Sequence, residues 1–490
     1  MKNKFNLDPE NWEETRALAH KMLDDMFDSL RDVSDKPVWK QVPESLEKTA
    51  DCKAIPEGST LEQVYEDFKK IVLAYPAGNL HPRFFGWVIG SGTVNGMLAD
   101  MLASATNPNL FGCKSGPYLI EKQVINWLKQ IFGFPETSGG LLVSGGTMAN
   151  INALQVARNT KCGKQFRKKG LQWQDDTKPL TLYGSAETHS WINTACELMG
   201  IGTESFRKVP INENYQIDTE ACKTLIEEDL RNGYKPFCIV GSVGTTNTGS
   251  IDDLEKLYDL ARKYNLWFHV DGAFGSMLAF TSNFRHLIKC QEKADSIAFD
   301  LHKWGCMPYE VGCFLIKDEQ LQIETFSSKP AYLSSEQKGI STESTYFNDR
   351  GIQLSRGFRA LKVWFSLKEH GVKKIGKAIE KNILQAQYLK SQIENDNFLE
   401  LLAPVPLNIV CFRYIDKSIS EKSIDALNRD ILVELQESGV ALPSQTVLHG
   451  KFALRVCFVN HRTEDSDIDL MLDEVKKLGN SKLESSFVRK

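Results

Sequence analysis

Asp295-Ser296-Ile297-Ala298-Phe299-Asp300-Leu301-His302-Lys303-Trp304 is an apolar-centred run that delivers a lysine near its end. A second run, Leu266-Trp267-Phe268-His269-Val270-Asp271, ends in a carboxylate. Both runs are typical of buried strands, and ligands of open α/β sheets bind where such strands end. The sequence therefore predicts an α/β fold that brings Lys303 and Asp271 to one ligand site.

A lysine and a carboxylate at two strand ends suit pyridoxal 5′-phosphate as a cofactor. Its aldehyde needs an amine to form a Schiff base, and its pyridine nitrogen needs an anion to stay protonated. Lys303 would provide the amine and Asp271 the anion. A structural ion pair between these two side chains is the alternative interpretation.

The composition indicates a large enzyme with neither a nucleic-acid nor a membrane partner. The chain has 490 residues, 25% of them charged, and a formal net charge of −4, so no basic surface is indicated. It shows no apolar stretch of the ~18 residues that span a bilayer, and the segment after Met1 does not resemble a signal peptide. The 11 cysteines are scattered without a C-x-x-C pair. This pattern predicts reduced thiols in a cytoplasmic protein, without disulfides or a metal site.

The loop Ser144-Gly145-Gly146-Thr147 is the candidate phosphate site. It follows the apolar run Leu141-Leu142-Val143 and precedes a helix predicted from about Met148 to Arg158. Two glycines let the backbone approach an anion, and a helix N-terminus offers free N–H groups and a positive dipole end. A plain tight turn is the alternative interpretation.

A second glycine-rich run, Gly90-Ser91-Gly92-Thr93-Val94-Asn95-Gly96, resembles a dinucleotide-binding fingerprint. Its third glycine comes one position too late for that motif, which weakens the hypothesis of a dehydrogenase. A non-catalytic module with the same fold is another hypothesis. It would be expected to have lost Lys303 or Asp271, and both are present.

His189 lies in Ser185-Ala186-Glu187-Thr188-His189, just after a strand-like run. A flat aromatic cofactor needs a stacking group on one face and a small residue on the other. His189 would supply the first and Ala273 the second. A purely structural histidine is the alternative.

Three segments of the chain differ in pattern. Residues 1–75 are predicted to form an N-terminal helical arm and linker, with an amphipathic helix at 11–33. Residues 76–370 alternate strand-like and helical segments and form the predicted large cofactor-binding domain. Residues 371–490 are predicted to form a small C-terminal α+β domain.

In this order, the motifs resemble those of the group II pyridoxal-phosphate-dependent amino-acid decarboxylases, which include aromatic-L-amino-acid, tryptophan, histidine and glutamate decarboxylases. The resemblance covers about residues 76–480. It implies fold type I, the aspartate-aminotransferase-like fold with a large mixed sheet, and a homodimer with shared active sites. It rests on six motifs: His81-Pro82-x-Phe84-Phe85-Gly86, SGGT-x-AN at 144–150, His189, GTTNTGS at 244–250, HVDGA at 269–273 and HKW at 302–304.

By this resemblance, Lys303 is the Schiff-base lysine, Asp271 the partner of the pyridine nitrogen and His189 the stacking base, and all three are catalytic candidates. The resemblance assigns further cofactor contacts to five residues: Gly146, Thr147, Thr246, Ala273 and His302.

The resemblance also identifies Tyr332, in the loop at 329–333, as a catalytic residue that reaches the site from the partner subunit. An exposed loop with an incidental tyrosine is the alternative. Asp300 departs from the family, in which this position is often an asparagine that contacts the phosphate, so that contact is not assigned here. Arg356 is a further candidate near the site.

The implied reaction is decarboxylation of an L-amino acid, with release of the amine and carbon dioxide. The resemblance places Phe84 and Trp87 around the substrate side chain, with Phe111 entering from the partner subunit. Alternatively, Phe84 and Phe85 are core residues, and at least one of the two is expected to be. An aromatic lining favours a phenyl or indole substrate over a carboxylate. Decarboxylation of an acidic, glutamate-type amino acid remains an alternative, and so, with less support, does an aromatic aldehyde synthase.

Overall fold

The structure, a computed structural model, describes residues 6–51, 53–163, 165–170, 178–328, 338–339, 342–343 and 345–488. Tyr332 and its predicted loop lie outside the described residues, so their role stays a prediction. The strands are β1 (Phe84–Phe85), β2 (Gly139–Val143), β3 (Leu180–Ser185), β4 (Phe206–Val209), β5 (Lys235–Ser242), β6 (Trp267–Asp271), β7 (Ser296–Asp300), β8 (Gly312–Ile316), β9 (Leu399–Leu401), β10 (Ile409–Tyr414), β11 (Leu442–Leu448) and β12 (Lys451–Cys457).

Helices surround and connect these strands. They are α1 (Trp12–Arg31), α2 (Glu44–Ala50), α3 (Leu61–Phe68), α4 (Val94–Thr106), α5 (Gly116–Phe132), α6 (Gly146–Cys162), α7 (Gln165–Lys169), α8 (Trp191–Leu198), α9 (Thr219–Arg231), α10 (Leu254–Lys263), α11 (Glu319–Phe326), α12 (Ala360–Glu369), α13 (Gly371–Glu394), α14 (Glu421–Glu437) and α15 (Asp465–Val488). None of the helices described is both long and apolar enough to cross a membrane.

The large sheet contains seven strands in the order β2-β8-β7-β6-β5-β3-β4. Neighbouring strands are parallel except at β8, which runs antiparallel to both β2 and β7. Every residue of β6 and β7 is buried, as expected for central strands with both faces covered. The predicted α/β class with a large mixed sheet is therefore confirmed.

A smaller sheet contains five strands in the order β1-β11-β12-β10-β9. Its strands pair antiparallel except for β1, which pairs parallel with β11 through Phe84 and Leu442. Strand β1 precedes the large sheet in the chain, so the segment predicted as the large domain contributes an edge strand to the C-terminal sheet. Two residues are too short a run to show a strand period, which explains why this pairing was not predicted.

The predicted helix at 11–33 corresponds to α1, but α1 buries no residue against the rest of its own chain. The helix predicted from about Met148 corresponds to α6, which starts two residues earlier, at Gly146. That earlier start places Gly146 and Thr147 in the first turn of the helix, where backbone N–H groups are free to bind a ligand.

Candidate active site

A cavity of about 440 Å³ opens where the parallel strands of the large sheet end. The last residues of β5, β6 and β7, which are Ser242, Asp271 and Asp300, line this cavity. The sheet topology thus gathers residues that are far apart in the chain. Nine predicted site residues line it: Trp87, Gly146, Thr147, His189, Thr246, Asp271, Ala273, His302 and Lys303.

Lys303 enters the cavity from the turn that follows β7. Its Nζ lies 3.0 Å from Oδ2 of Asp300, and the lysine side chain keeps 24% of its surface exposed. Asp300 is buried, and its Oδ1 has no hydrogen-bond partner among the described residues. The carboxylate that the sequence left unassigned therefore faces the lysine amine.

Asp271 ends β6 with both carboxylate oxygens engaged. The backbone N–H of Ala273 donates to Oδ1 at 3.2 Å, and the indole Nε1 of Trp191 donates to Oδ2 at 2.5 Å. Two donors from different segments fix the orientation of the carboxylate. They also leave it facing the cavity as an acceptor for a protonated ring nitrogen.

A buried histidine supports this arrangement from behind. His269 packs edge-to-face against Trp191, with ring centroids 6.1 Å apart, and its ring nitrogens contact Ser296 Oγ at 2.8 Å and Asn150 Oδ1 at 2.7 Å. Burial lowers the pKa of His269 to about 4. The ring is therefore neutral at physiological pH and adds no positive charge beside Asp271.

The N-terminus of α6 forms an anion cradle. The first hydrogen bond of this helix is donated by Ala149 N to Gly145 O at 2.9 Å, which leaves the preceding N–H groups without helical partners. A Cβ added at Gly146 would lie 2.8 Å from Asp300 Oδ2, so only glycine fits there without displacing that carboxylate. Free N–H groups, the hydroxyl of Thr147 and the helix dipole suit a phosphate.

His302 lies beneath the cradle. Its Nδ1 accepts a hydrogen bond from Val311 N at 3.1 Å, and its ring centroid lies 4.4 Å from that of Tyr309, with the two planes tilted by 37°. Burial lowers the pKa of His302. The neutral ring therefore carries its proton on Nε2, which lies 3.7 Å from Asp300 Oδ2.

The predicted substrate residues are placed unequally. Trp87 lines the cavity with 56% of its surface exposed. Phe84 packs instead with Val38 and Leu442, and its ring lies 6.1 Å from that of Trp87. Phe111 is half-buried and does not line the cavity of this single chain. Substrate contacts by Phe84 and Phe111 stay predictions.

Arg356 does not line the cavity but forms a buried ion pair with Glu121. Its guanidinium also donates to the carbonyls of Leu110 and Leu142, at 3.5 and 2.8 Å. It therefore joins the end of β2 to the segment that carries Phe111.

Several site residues were not predicted from the sequence. Arg455 of β12 donates from Nε to Thr246 O at 2.8 Å and from Nη1 to Trp87 O at 3.0 Å, which ties the cofactor-side and substrate-side segments together. Trp191 follows His189 by two positions, and that proximity was the one available signal. Glu187 and Glu310 also line the cavity.

The glycine-rich run at 90–96 packs against the lysine loop. A Cβ at Gly90 would lie 2.0 Å from the carbonyl oxygen of His302 and 2.4 Å from that of Lys303. Close backbone packing explains this glycine without a dinucleotide, and the hypothesis of a dehydrogenase loses its main support.

Lys303, the carboxylate of Asp271 with its two hydrogen bonds, and the anion cradle at the start of α6 all lie at the carboxyl ends of parallel strands. Together they fit pyridoxal 5′-phosphate. They define a fold type I pyridoxal-phosphate enzyme. The family model described as "Pyridoxal-dependent decarboxylase conserved domain" matches residues 43–415, and the chain belongs to this family. The protein is therefore a pyridoxal-phosphate-dependent carboxy-lyase, as predicted.

Curated relatives and solved structures agree with this assignment. The chain is 33% identical to an aromatic-L-amino-acid decarboxylase of Bacillus atrophaeus over 95% of both chains. It is 29% identical to tryptophan decarboxylase 2 of Oryza sativa subsp. japonica over 96% of both. The crystal structure of Oryza sativa TDC with PLP and tryptamine superposes with a TM-score of 0.89 at 24% identity, covering 97% of this chain and 100% of that one. This superposition confirms the predicted fold.

Proposed function

We propose that the enzyme converts an aromatic L-amino acid to the corresponding amine and carbon dioxide. The charge of the cavity carries this proposal. Among the described lining residues, Lys303 is the only lysine or arginine, whereas Glu187 and Glu310 contribute carboxylates and Trp87 and Phe274 contribute rings. Glu310 is paired with Arg359 at 2.7 Å, so an acidic substrate side chain would find no unpaired lysine or arginine in the described lining of this chain, while an aromatic ring would meet aromatic surface.

The residues divide the work of holding the cofactor. Bound pyridoxal 5′-phosphate takes up the electron pair that departing carbon dioxide leaves behind. Lys303 would hold it covalently through Nζ, and Asp271 would accept the hydrogen bond of the protonated ring nitrogen. The first turn of α6 would bind the phosphate, and His189 and Ala273 would flank the ring.

Protonation of the substrate α-carbon needs a proton donor held in place by the protein and a site from which water is excluded. By family resemblance, the phenol of Tyr332 is this donor and belongs to the partner subunit. The same resemblance relates a tyrosine here to amine formation and a phenylalanine to aldehyde formation. We therefore favour a decarboxylase over an aldehyde synthase.

A homodimer is part of the proposal. Helix α1 buries none of its residues, and both α1 and the arm that follows it expose large apolar side chains. These include Trp12, Val64, Phe68, Ile71 and Val72. Apolar surface on this scale is typical of an interface. We propose that a second copy of the chain buries these apolar side chains in a dimer interface.

We also propose a cytoplasmic location. All ten described cysteines are free, and eight of them are buried. Reduced thiols of this kind fit a reducing compartment.

The first experiment asks whether the cofactor and the substrate class are correct. Purified enzyme should be yellow, and borohydride should bleach it and fix the cofactor on Lys303, as peptide mass analysis would show. Release of carbon dioxide should be faster from phenylalanine, tyrosine or tryptophan than from glutamate. Lys303→Ala is the control for the covalent attachment. Faster turnover of glutamate would reject the aromatic substrate while leaving the cofactor assignment intact.

The second experiment asks how the reaction ends. Tyr332→Phe should lose amine production while still releasing carbon dioxide, and aldehyde, ammonia and peroxide should form in air. Product analysis with an aromatic amino acid gives the answer. An amine as the main product of this variant would show that another group protonates the α-carbon.

The third experiment addresses the shared site. Lys303→Ala chains and Tyr332→Phe chains should each form no amine alone. Mixing them should restore amine formation, because one site of each heterodimer has both residues. If heterodimers form but amine does not, then Tyr332 acts within its own subunit.

A further inference from the structure

A second cavity, of about 280 Å³, lies behind the turn that carries Lys303. Trp304, Gly305 and Cys306 form one wall, and the others come from the start of α4, the junction of α12 with α13, and the segment that follows β12. It shares no lining residue with the active-site cavity. The decarboxylation described above makes no use of it.

Two cations at this cavity lack acidic partners in the described part of the chain. Nη1 of Arg462 reaches only the carbonyls of Ser91 and Gly92, at the long distances of 3.5 and 3.4 Å. Lys374 Nζ contacts only His370 Nδ1, at 3.4 Å. Burial lowers the pKa of Arg462, and only Cys306 shifts that pKa in the opposite direction.

Two buried polar atoms at the cavity also lack partners. Asn95 and Ser366 are 8% and 3% exposed, yet Asn95 Nδ2 and Ser366 Oγ make no hydrogen bond to any described residue. The hydroxyl of Thr93 donates to Asn95 Oδ1 at 2.5 Å, which leaves the amide nitrogen as a free donor. Buried polar groups are almost always satisfied, so these two atoms indicate a missing hydrogen-bond acceptor.

Two helices begin at the same cavity. Residues of the first turns of α4 and α13 line it, and neither first turn contains an acidic residue. The N-terminal ends of α4 and α13 favour a negative charge there, and the C-terminal end of α12, which supplies Ser366 and Glu369, acts against it. Glu369 is the only carboxylate among the described lining residues; it is exposed and lies 3.9 Å from His370. His461 is neutral, because burial lowers its pKa to about 4.

We infer that this cavity is a second ligand site that binds a small organic carboxylate. The carboxylate end would pair with Arg462 and Lys374 near the two helix starts. The apolar body would pack against Trp304, Ile375 and Ala378, which line the same space. This apolar wall distinguishes an organic acid from free phosphate, which has no apolar surface to bury.

Titration calorimetry of the intact holoenzyme with sodium benzoate tests the inference. Benzoate should bind, and Arg462→Met should weaken the binding about tenfold, because a charge-assisted hydrogen bond is lost. Lys374→Met should weaken it less, by roughly threefold, because that lysine is exposed. Lys377→Met is the matched control: it removes an exposed lysine of the same helix that does not line the cavity, and it should leave benzoate affinity unchanged.

Three results would overturn the inference. The first is that benzoate does not bind. The second is that benzoate binds equally well to wild type, Arg462→Met and Lys374→Met, as expected if it enters only the active site. The third is that inorganic phosphate binds as tightly as benzoate and is weakened by the same variants. If Arg462→Met fails to fold, Lys374→Met and Ser366→Ala are compared with the control Lys377→Met. Both should weaken benzoate binding relative to that control.

Discussion

Asp271 and Asp300 end two paired strands of one sheet, but their surroundings differ completely. Asp271 accepts hydrogen bonds from Trp191 and Ala273, both uncharged donors. Asp300 faces the amine of Lys303, and its second oxygen has no partner in the described structure. The same side chain at equivalent strand ends thus acquires different chemistry from the segments around it. The first carboxylate keeps a face open to the cavity, whereas the second is paired with Lys303.

The largest effect expected from this comparison follows from Asp271→Asn. The neutral amide cannot hold a pyridine nitrogen protonated, so kcat should fall roughly 100- to 1000-fold while the fold is retained. Steady-state kinetics and circular dichroism measure the two effects. Asp259→Asn, which removes an exposed carboxylate of α10, is the control. Near-normal turnover of Asp271→Asn would show that another group contacts the ring nitrogen.

Trp191→Phe should have the next largest effect. It keeps an aromatic ring beside His269 but removes the N–H that orients Asp271, so cofactor affinity should fall about tenfold. Fluorescence titration of the apoenzyme with pyridoxal 5′-phosphate measures the affinity. Trp364→Phe is the control, because its indole donates to Gln123 Oε1 at 2.8 Å, outside the cavity. Equal losses in both variants would reduce the role of Trp191 to packing.

Asp300→Asn should move cofactor affinity in the opposite direction. It removes a negative charge beside the phosphate cradle at Gly146, so affinity should rise by roughly threefold. The same apoenzyme titration applies, again with Asp259→Asn as the control for net charge. A weaker affinity would mean that the ion pair with Lys303 matters more for cofactor binding than repulsion of the phosphate does.

The last expected effect is on thermal stability, not on catalysis or cofactor binding, and it concerns His269 behind Asp271. The pKa of its imidazole is about 6.5 in the unfolded chain and about 4 in the folded protein. The neutral ring therefore makes its full contribution to the free energy of unfolding above pH 6.5. This contribution is lost as the pH falls toward 4, by about 2 kcal/mol at pH 5.

His269→Asn should therefore lose less Tm than wild type between pH 7.5 and 5.0. Comparing the two proteins isolates this residue from Asp252, whose buried carboxyl has a raised pKa of about 6 and acts in the opposite sense. Identical pH profiles would mean that His269 titrates alike in the folded and unfolded chains.

The comparison also shows how far the sequence alone leads. Lys303, Asp271 and the Gly146 cradle were predictable because each lies at the end of an apolar run, and strand ends of one sheet converge. Phe84 was predicted around the substrate, but its ring packs in an apolar cluster of this chain because β1 joins the smaller sheet. A two-residue strand gives no periodicity from which this could be inferred.

The contacts that orient the site residues were not predictable from the sequence. Trp191 lies 80 positions before Asp271, and Arg455 lies 209 positions after Thr246. Such contacts depend on how elements pack in three dimensions, and no local pattern encodes them. The sequence therefore predicted residues that line the cavity, but not the residues that orient them.

Gly90 has a consequence for engineering of the substrate preference. Trp87 is a natural position to randomise, and libraries usually extend over several neighbouring positions. Three residues downstream, however, any side chain larger than hydrogen would collide with the backbone of the lysine turn. A library that includes position 90 would mostly sample enzymes in which the backbone of His302 and Lys303 is displaced, and inactive clones would then be mistaken for evidence about substrate fit. Diversification should therefore stop at Ile89.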